Sequence, residues 1–505
     1  MNADHAIRTK CFHPTGKFIE FKKEEIEQSI PDRFEKMVRL YPDRLAVKTR
    51  DHQLTYDQLN NAANRVARAI LKQRGEGEEP IALLLERNTP LIATIIGVLK
   101  AGKIYVLFDP SYPQARINTM LKDSQAGLIV TNNRNFSLTS ELAHDGRQVL
   151  NIDMIDARVS TENLGLSISL DTPTSIMYTS GSTGQSKGLV KNHRNWMHNT
   201  MTNTNDFHIC AQDRLTVLGS PRADIFRALL NGAAILPLNI KQEGLANLAN
   251  WLTQEEITIL HSVPSAFRHF VNTLTGDEKF PNLRLIKLAG EPVIMRDVEL
   301  YKKHFSRHCV LVNQLGTTET GRFRHYLVDK DTKITSSMVP VGYAVNDMTV
   351  ALLDDDGKEV GFSRIGEIAV KSRYLSPGYW RRPDLTQASF LLDPAGGEER
   401  IYRTGDLGRM LPDGCLEHLG RKDFQVKIRG NRVEVTETEM ALLELDTVKE
   451  AVVVAQEDVP GNKRLVAYIV PTRKPGPTVS ALRGALAEKL PDYMIPSVFV
   501  KMDSL

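Results

Sequence analysis

The sequence predicts an α/β protein: a large N-terminal domain of mainly parallel sheets with a β-rich subdomain, then a small, mobile α+β C-terminal domain. Three observations carry this reading. Apolar runs of strand length alternate with amphipathic stretches of helix length as far as Gln314, the pattern of a doubly wound sheet. Between Val341 and Leu419 the texture changes to short strands and turns, marked by Asp356-Gly357, Pro377-Gly378 and Asp413-Gly414. Beyond Asp423 a shorter mix of strands and helices follows, and 505 residues exceed what one hydrophobic core supports. The expected division is therefore 1–422 and 423–505.

In chain order, residues 1–30 form a polar arm, and a first helix covers 32–40 with Phe34, Met37, Val38 and Leu40 at helical spacing. Residues 54–72 read as a longer helix and 81–85 as a buried strand. A helix (90–101), a strand (104–108), a helix (115–124) and strands at 127–131 and 148–152 follow. After a strand at 175–178, helices are expected at 192–205, 225–231, 245–255, 265–273 and 296–305. They alternate with strands at 234–236, 259–262, 285–289 and 310–314. In the last part, a strand at 424–428 leads to a helix from Thr436, whose spacing to Glu439 suggests a capping box. Strands 448–456 and 465–470 and a helix at 480–489 complete the chain.

Charge and composition exclude several classes. Sixty-four Lys and Arg nearly balance 61 Asp and Glu, leaving a net charge of +3, which gives no electrostatic case for nucleic acid. The four cysteines (11, 210, 309, 415) are scattered without paired spacing, against a disulfide framework or a zinc site. The N-terminus lacks an apolar signal core, and the most apolar stretch, 90–99, is too short to cross a bilayer. A cytoplasmic protein with no membrane partner is expected. His304 and His308 have a spacing that metal ligands use, but no third ligand is near, and an exposed helix face is the expected reading.

Residues 177–188 read MYTSGSTGQSKG. The run turns from an apolar strand into hydroxyls and glycines and closes on Lys-Gly. Gly181, Gly184 and Gly188 allow close backbone approach. Thr179, Ser180, Ser182, Thr183 and Lys187 supply hydroxyl and ammonium donors beside backbone N–H groups. Such a loop suits a polyphosphate. The P-loop of nucleotide triphosphatases needs Gly immediately before the Lys; here Ser186 stands there, so that spacing fails.

The loop instead resembles the phosphate loop of the adenylate-forming superfamily, which includes acyl-CoA ligases, luciferases and the adenylation domains of nonribosomal peptide synthetases. The whole chain is most similar to the last of these. The blocks occur in order as LTYDQL (54–59), LKAGKIYVLFD (99–109), MYTSGSTGQSKG, NQLGTTE (313–319), GEIAVKS (366–372), YRTGDL (402–407) and GRKDFQVKIRG (420–430). The resemblance implies that a small carboxylic acid attacks the α-phosphate of ATP with Mg²⁺, releasing pyrophosphate. The acyl group of the adenylate then passes to the phosphopantetheine thiol of a carrier protein. A free-standing acyl-CoA ligase and a non-catalytic nucleotide-binding module remain the alternatives.

Residue by residue, the resemblance implies that Thr179–Gly184 (Ser180, Gly181, Ser182 and Thr183 included) and Lys187 hold the β- and γ-phosphates. Thr318 would contact the α-phosphate, Glu319 would ligate Mg²⁺, Asp406 would accept from both ribose hydroxyls, and Arg421 would lie near the ribose. Leu315 and His418 would stand where aromatic residues often face adenine. Asp423 matches the hinge about which the small domain rotates, and Lys427 and Gly430 would face the active site in the thioester-forming pose. The acyl pocket would be lined by Ala223, His261, Lys287, Ala289, Gln314, Arg322 and Phe323.

The sequence departs from the family pattern in two further places. The chain ends at Leu505, before the loop whose lysine the family uses at the α-phosphate, so that the C-terminal subdomain is expected to be truncated. Residues 219–226 are shorter than usual, and the aspartate that pairs with a substrate α-ammonium has no evident counterpart; Asp224 aligns with an acidic residue of the next helix. An acid without an α-amine (keto, hydroxy, aryl or fatty) is therefore an open alternative to an amino acid. The two pocket cations, Lys287 and Arg322, would either meet an acidic or carbonyl-bearing substrate or point to solvent.

Overall fold

The computed structural model describes residues 7–50, 52–86, 89–143, 146–179, 186–218, 222–238, 240, 244–423, 425–459 and 461–504, with the side chains of Arg222 and Val459 also left out. Ser180, Gly181, Ser182, Thr183 and Gly184 of the expected phosphate loop thus lie outside the described residues, as do 219–221.

Two mainly parallel sheets form the large lobe. The seven-stranded sheet is centred on Pro80–Leu84 and Ile104–Phe108. Both strands are continuous apolar runs with nearly every side chain buried, as a sheet covered on both faces requires. At one side, Pro173–Thr179 pairs antiparallel with Lys187–Asn192, a hairpin whose connection contains the glycine- and hydroxyl-rich run. The nine-stranded sheet runs parallel from Leu45–Lys48 through Ala234–Ile235, Arg214–Leu218, Ile259–Ser262 and Leu285–Ala289 to Val310–Thr317. It then turns antiparallel into Gly321–Val328.

A five-stranded antiparallel sheet (Thr349–Leu353, Ile365–Ser372, Phe390–Leu392, Arg400–Met410 and Leu416–Arg421) makes the β-rich part. After it come the hairpin Gln425–Ile428/Asn431–Glu434 and a three-stranded sheet, Val448–Val459, Asn462–Pro471 and Val498–Lys501. Ile428, Val433, Leu442, Val453, Ile469 and Leu486 form a separate small core there. Among the described residues, no helix is long and apolar enough to cross a membrane.

Several local expectations change. The predicted helix 54–72 begins instead as the strand Gln53–Thr55, and the helix runs Tyr56–Arg74. Thr55 is its N-cap, its hydroxyl accepting from Gln58 N while Gln58 reaches back, a reciprocal cap that fixes the boundary. The capping box expected at Thr436 does not form. The hairpin feeds directly into helix Val435–Leu443 with Glu434 at the N-cap, and Glu439 accepts instead from Val453 N at 2.8 Å. Strands Leu45–Lys48, Lys187–Asn192 and Gly321–Val328 had no counterpart in the sequence reading. His304 ends helix Met295–His304 and His308 lies beyond it, so the two are not one helical turn apart.

Candidate active site

The antiparallel turn from Val310–Thr317 into Gly321–Val328 carries Thr318 and Glu319. Thr318 is half-buried. Glu319 is wholly buried and held from two sides: Tyr379 Oη donates to Oε1 at 3.1 Å, and Arg432 Nη1 donates to Oε1 and Oε2 at 2.9 and 3.2 Å. Burial works against its charge, but Arg432, backbone N–H groups and Lys187 outweigh that cost and hold the carboxyl at about 2. Lys187 opens its strand opposite Thr179, whose hydroxyl meets Lys187 O at 3.5 Å. The Lys187 ammonium lies 4.9 Å from the centre of the Tyr379 ring, an attraction between cation and ring quadrupole. Burial and Arg432 lower its pKa.

A second group sits where the β-rich sheet ends. Asp406 is buried on Arg400–Met410, and its Oδ1 accepts from Arg421 Nη1 at 2.8 Å, with His418 Nε2 at 3.4 Å. Its Oδ2 is buried without a hydrogen-bond partner, a state that costs free energy unless a donor arrives. Burial opposes its charge; His418, Lys427 and Arg421 overcome this and hold it at about 2. Arg421 also clamps Asp423 through Nε and Nη2 at 2.7 and 2.8 Å. Lys427, on the first strand of the small lobe, therefore shares the field of Asp406. Leu315 is buried on the face of its strand opposite Gln314, within the main core.

The expected acyl pocket assembles on one face of the nine-stranded sheet. His261 pairs with Lys287, Ala289 with Gln314, and Gln314 with His325, so these side chains share that face. A bulge leaves Phe323 as the extra residue between Arg322 and Arg324, bringing Arg322 onto the same face; its Nη1 donates to His325 Nδ1 at 2.7 Å. Phe323 is fully buried, while Ala223, His261 and Ala289 are partly open. Helix His193–Phe207 supplies Asn203, Asp206 and Phe207, and helix Arg222–Leu229 supplies Asp224 and Arg227. Neither pocket cation points to solvent, which corrects that alternative. Arg322 Nη2 meets Asp206 Oδ2 at 2.5 Å, and the Lys287 ammonium donates to Asn203 Oδ1 at 3.1 Å.

Besides Arg432–Glu319, polar contacts between the lobes among the described residues include those of Gly430, Arg116 and Arg268. Gly430 N donates to Glu291 Oε1 at 2.8 Å, Arg116 Nη1 to Glu437 at 2.7 Å, and Arg268 Nη1 to Gly461 O at 2.7 Å. Tyr379, Asp206, Asn203, Arg227, His325 and Arg432 were not singled out by the sequence. Only Arg432 carried a usable signal, standing two residues beyond GRKDFQVKIRG. Among the described residues, no three His, Cys, Asp or Glu side chains gather as a metal-binding group.

An ionised carboxylate (Glu319), a lysine beside a glycine-rich connection (Lys187) and a half-satisfied aspartate (Asp406) thus occur together in a two-lobed α/β architecture. The model of the AMP-binding enzyme family matches residues 34–380, and that of the AMP-binding enzyme C-terminal domain matches 437–505; the chain belongs to this family. Tyrocidine synthase 1 of Brevibacillus parabrevis is 33% identical over 485 residues, covering 95% of this chain and 44% of that protein. Gramicidin S synthase 2 of Brevibacillus brevis is 35% identical over 489 residues, covering 95% and 11%. The chain thus spans less than half the length of these relatives. The same fold occurs in NpsA-ThdA, an artificially fused adenylation-PCP di-domain from Klebsiella oxytoca (TM-score 0.83, 22% identity, 94% and 93% of the two chains). It also occurs in the amide bond synthetase McbA of Marinactinospora thermotolerans (TM-score 0.85, 18% identity, 94% and 96%).

Proposed function

We propose that this chain activates a carboxylic acid with ATP as an acyl-adenylate, releasing pyrophosphate, and passes the acyl group to the phosphopantetheine thiol of a carrier protein. The observation that carries the reading is Asp406, buried and ionised with Oδ2 lacking a partner beside Arg421 and Lys427. Two ribose hydroxyls would supply the missing donors. Lys187 and Thr179 would bind phosphate oxygens, and Thr318 would meet the α-phosphate. Leu315 and His418 would flank the base, and Ala223, His261, Lys287, Ala289, Gln314, Arg322 and Phe323 would line the acyl pocket. Glu319, a buried hard carboxylate, would hold Mg²⁺, which would neutralise charge on the phosphates. That role needs Arg432 withdrawn, since the pair occupies both carboxylate oxygens.

The small lobe, from the hinge at Asp423 to 505, would therefore work in two positions. In the one described, Lys427 shares the field of Asp406 and Gly430 N donates to Glu291, which supports a pose for the second step. The likeness to an artificially fused adenylation-PCP di-domain supports a carrier protein as acceptor. A cytoplasmic setting fits four buried cysteines that form no disulfide with one another.

ATP–pyrophosphate exchange on the full protein that carries this chain, across amino, keto, hydroxy, aryl and fatty acids, tests the first step. Acid-dependent exchange is expected. ATP binding without exchange for any acid would replace this reading with that of a nucleotide-binding module.

A further inference from the structure

The buried ions of the acyl pocket do not balance. Asp224 is already paired: Oδ1 accepts from Arg227 Nη1 at 3.0 Å and Oδ2 from His261 Nδ1 at 2.8 Å. Asp206 is likewise taken, Oδ2 by Arg322 and Oδ1 by Arg8. Lys287, with no exposed surface, has Asn203 Oδ1 at 3.1 Å and the Phe207 ring at 5.1 Å. No carboxylate of the described residues lies within ion-pair distance of it. Its surroundings press against its charge, through burial first and then Arg227, with only Asp224 in opposition before Arg322 adds to the repulsion. An ammonium in such a place is unfavourable unless an anion joins it.

One strand away on the same face, Gln314 Nε2 is buried without an acceptor. Gln314 is opposite Ala289, and Lys287 opposite Val312, so Lys287 and Gln314 are diagonal neighbours across the strand pair, within reach of one small group between them. Two donors without an anionic partner thus converge on one spot in a site otherwise rich in cations.

We propose that the acid activated here is a dicarboxylic acid, whose second carboxylate is received by Lys287 and Gln314 on the floor of the pocket. The inference rests on the adenylation reading above. Lys287 lies two residues before Ala289, about 7 Å deeper along the strand, while Ala289 and Gly290 end at the lobe junction beside Gly430. A reacting carboxylate at that junction and a second one on Lys287 are spanned by a chain of roughly four to six carbons. The second carboxylate restores the ion balance, satisfies Gln314 and is rejected by no free anion of the described pocket. A monocarboxylic acid of the same length would leave both donors without an anion.

The test is ATP–pyrophosphate exchange on the full protein with matched pairs: succinate against butyrate, 2-oxoglutarate against 2-oxovalerate, and glutamate against norvaline. The dicarboxylic member of at least one pair is expected to exceed its partner tenfold or more in kcat/KM. Lys287→Met should remove that preference through a raised KM for the acid, with the KM for ATP unchanged and thermal stability without acid equal or higher. Gln314→Leu should weaken the same preference, which keeps the test available where Lys287→Met does not fold. Equal or better exchange with the monocarboxylic partners, or an unchanged preference in both variants, overturns the inference while leaving adenylation in place. Absence of exchange with every acid overturns the adenylation reading and this inference with it.

Discussion

Arg432 of the small lobe grips both oxygens of Glu319 in the large lobe, at 2.9 and 3.2 Å. Glu319 is fully buried, so in this arrangement the carboxylate proposed to hold Mg²⁺ is neutralised by an arginine delivered from the other lobe. The lobe position and the ionic state of the site are therefore linked. Removing one partner of a buried pair costs about 3–5 kcal/mol, and here the cost falls only on the docked arrangement. Arg432→Met should slow loading of a carrier protein by tenfold or more while leaving acid-dependent pyrophosphate exchange within about twofold. Radiolabelled loading and exchange on the same preparation separate the two; equal losses in both would show that the pair serves the fold instead.

Gly430 tests the same linkage by sterics. Its φ is +75°, and a Cβ there would stand 2.4 Å from Val263 Cγ1, on the other lobe. Left-handed backbone costs a non-glycine residue about 1–2 kcal/mol, and the clash adds to it. Gly430→Ala should lower the thermal midpoint of the small lobe by a few degrees through the dihedral alone, and should reduce carrier loading by roughly tenfold through the clash. Shortening Val263 to Ala in the same chain should recover part of the loss, since it relieves the clash but not the dihedral.

How much of this was readable beforehand depends on where each signal resides. Strands Ile104–Phe108 and Leu285–Ala289 match their expected limits at both ends: the first is an uninterrupted apolar run, which specifies a doubly covered strand, and the second keeps four apolar residues around the single Lys287. Lys187–Asn192 was missed because its sequence, KGLVKN, has only two apolar side chains, and its Lys191 is buried. That strand is fixed by pairing with Pro173–Thr179, a tertiary property. Lys287 and Arg322 were placed in the pocket from the resemblance, yet their settings follow from Asn203 and Asp206 on a helix crossing the sheet, far away in the chain. The Arg432–Glu319 pair depends on lobe docking, which no local pattern encodes.

The charges around Glu319 predict a flat response to mild acid. Its carboxyl is held at about 2, below the usual 4.5, with burial opposing and Arg432, Lys187 and Tyr379 facing it. A depressed carboxyl contributes stability that is fully present above its unfolded value and is lost as pH falls through the folded value. The contribution of the Glu319–Arg432 pair to lobe docking should thus be unchanged from pH 7 to about 5 and weaken between about 4 and 2. Scattering profiles across that range report the docked fraction. Arg432→Met, lacking the cation that holds the pKa down, should begin to change at higher pH than the wild type.

Asp406 makes the most direct claim on nucleotide binding. Oδ1 is committed to Arg421 and approached by His418, whereas Oδ2 is buried and unpartnered. Folding has therefore withdrawn a charged oxygen from water without replacing its hydrogen bonds, and a vicinal diol would supply them. Hydrogen bonds to charged groups contribute about 1.5–3 kcal/mol, so Asp406→Asn should raise the KM for ATP roughly 10- to 100-fold. Because an amide cannot serve as two acceptors at once, 2′-deoxy-ATP should lose most of its disadvantage relative to ATP in the variant. The KM for the acid should remain within about twofold, as the pocket face of the nine-stranded sheet does not touch Asp406. An unchanged KM for ATP, or equal penalties for ATP and its deoxy analogue in both proteins, would remove Asp406 from the ribose site. The chemical reason is that the variant keeps the shape of the aspartate while changing only what its outer atoms accept.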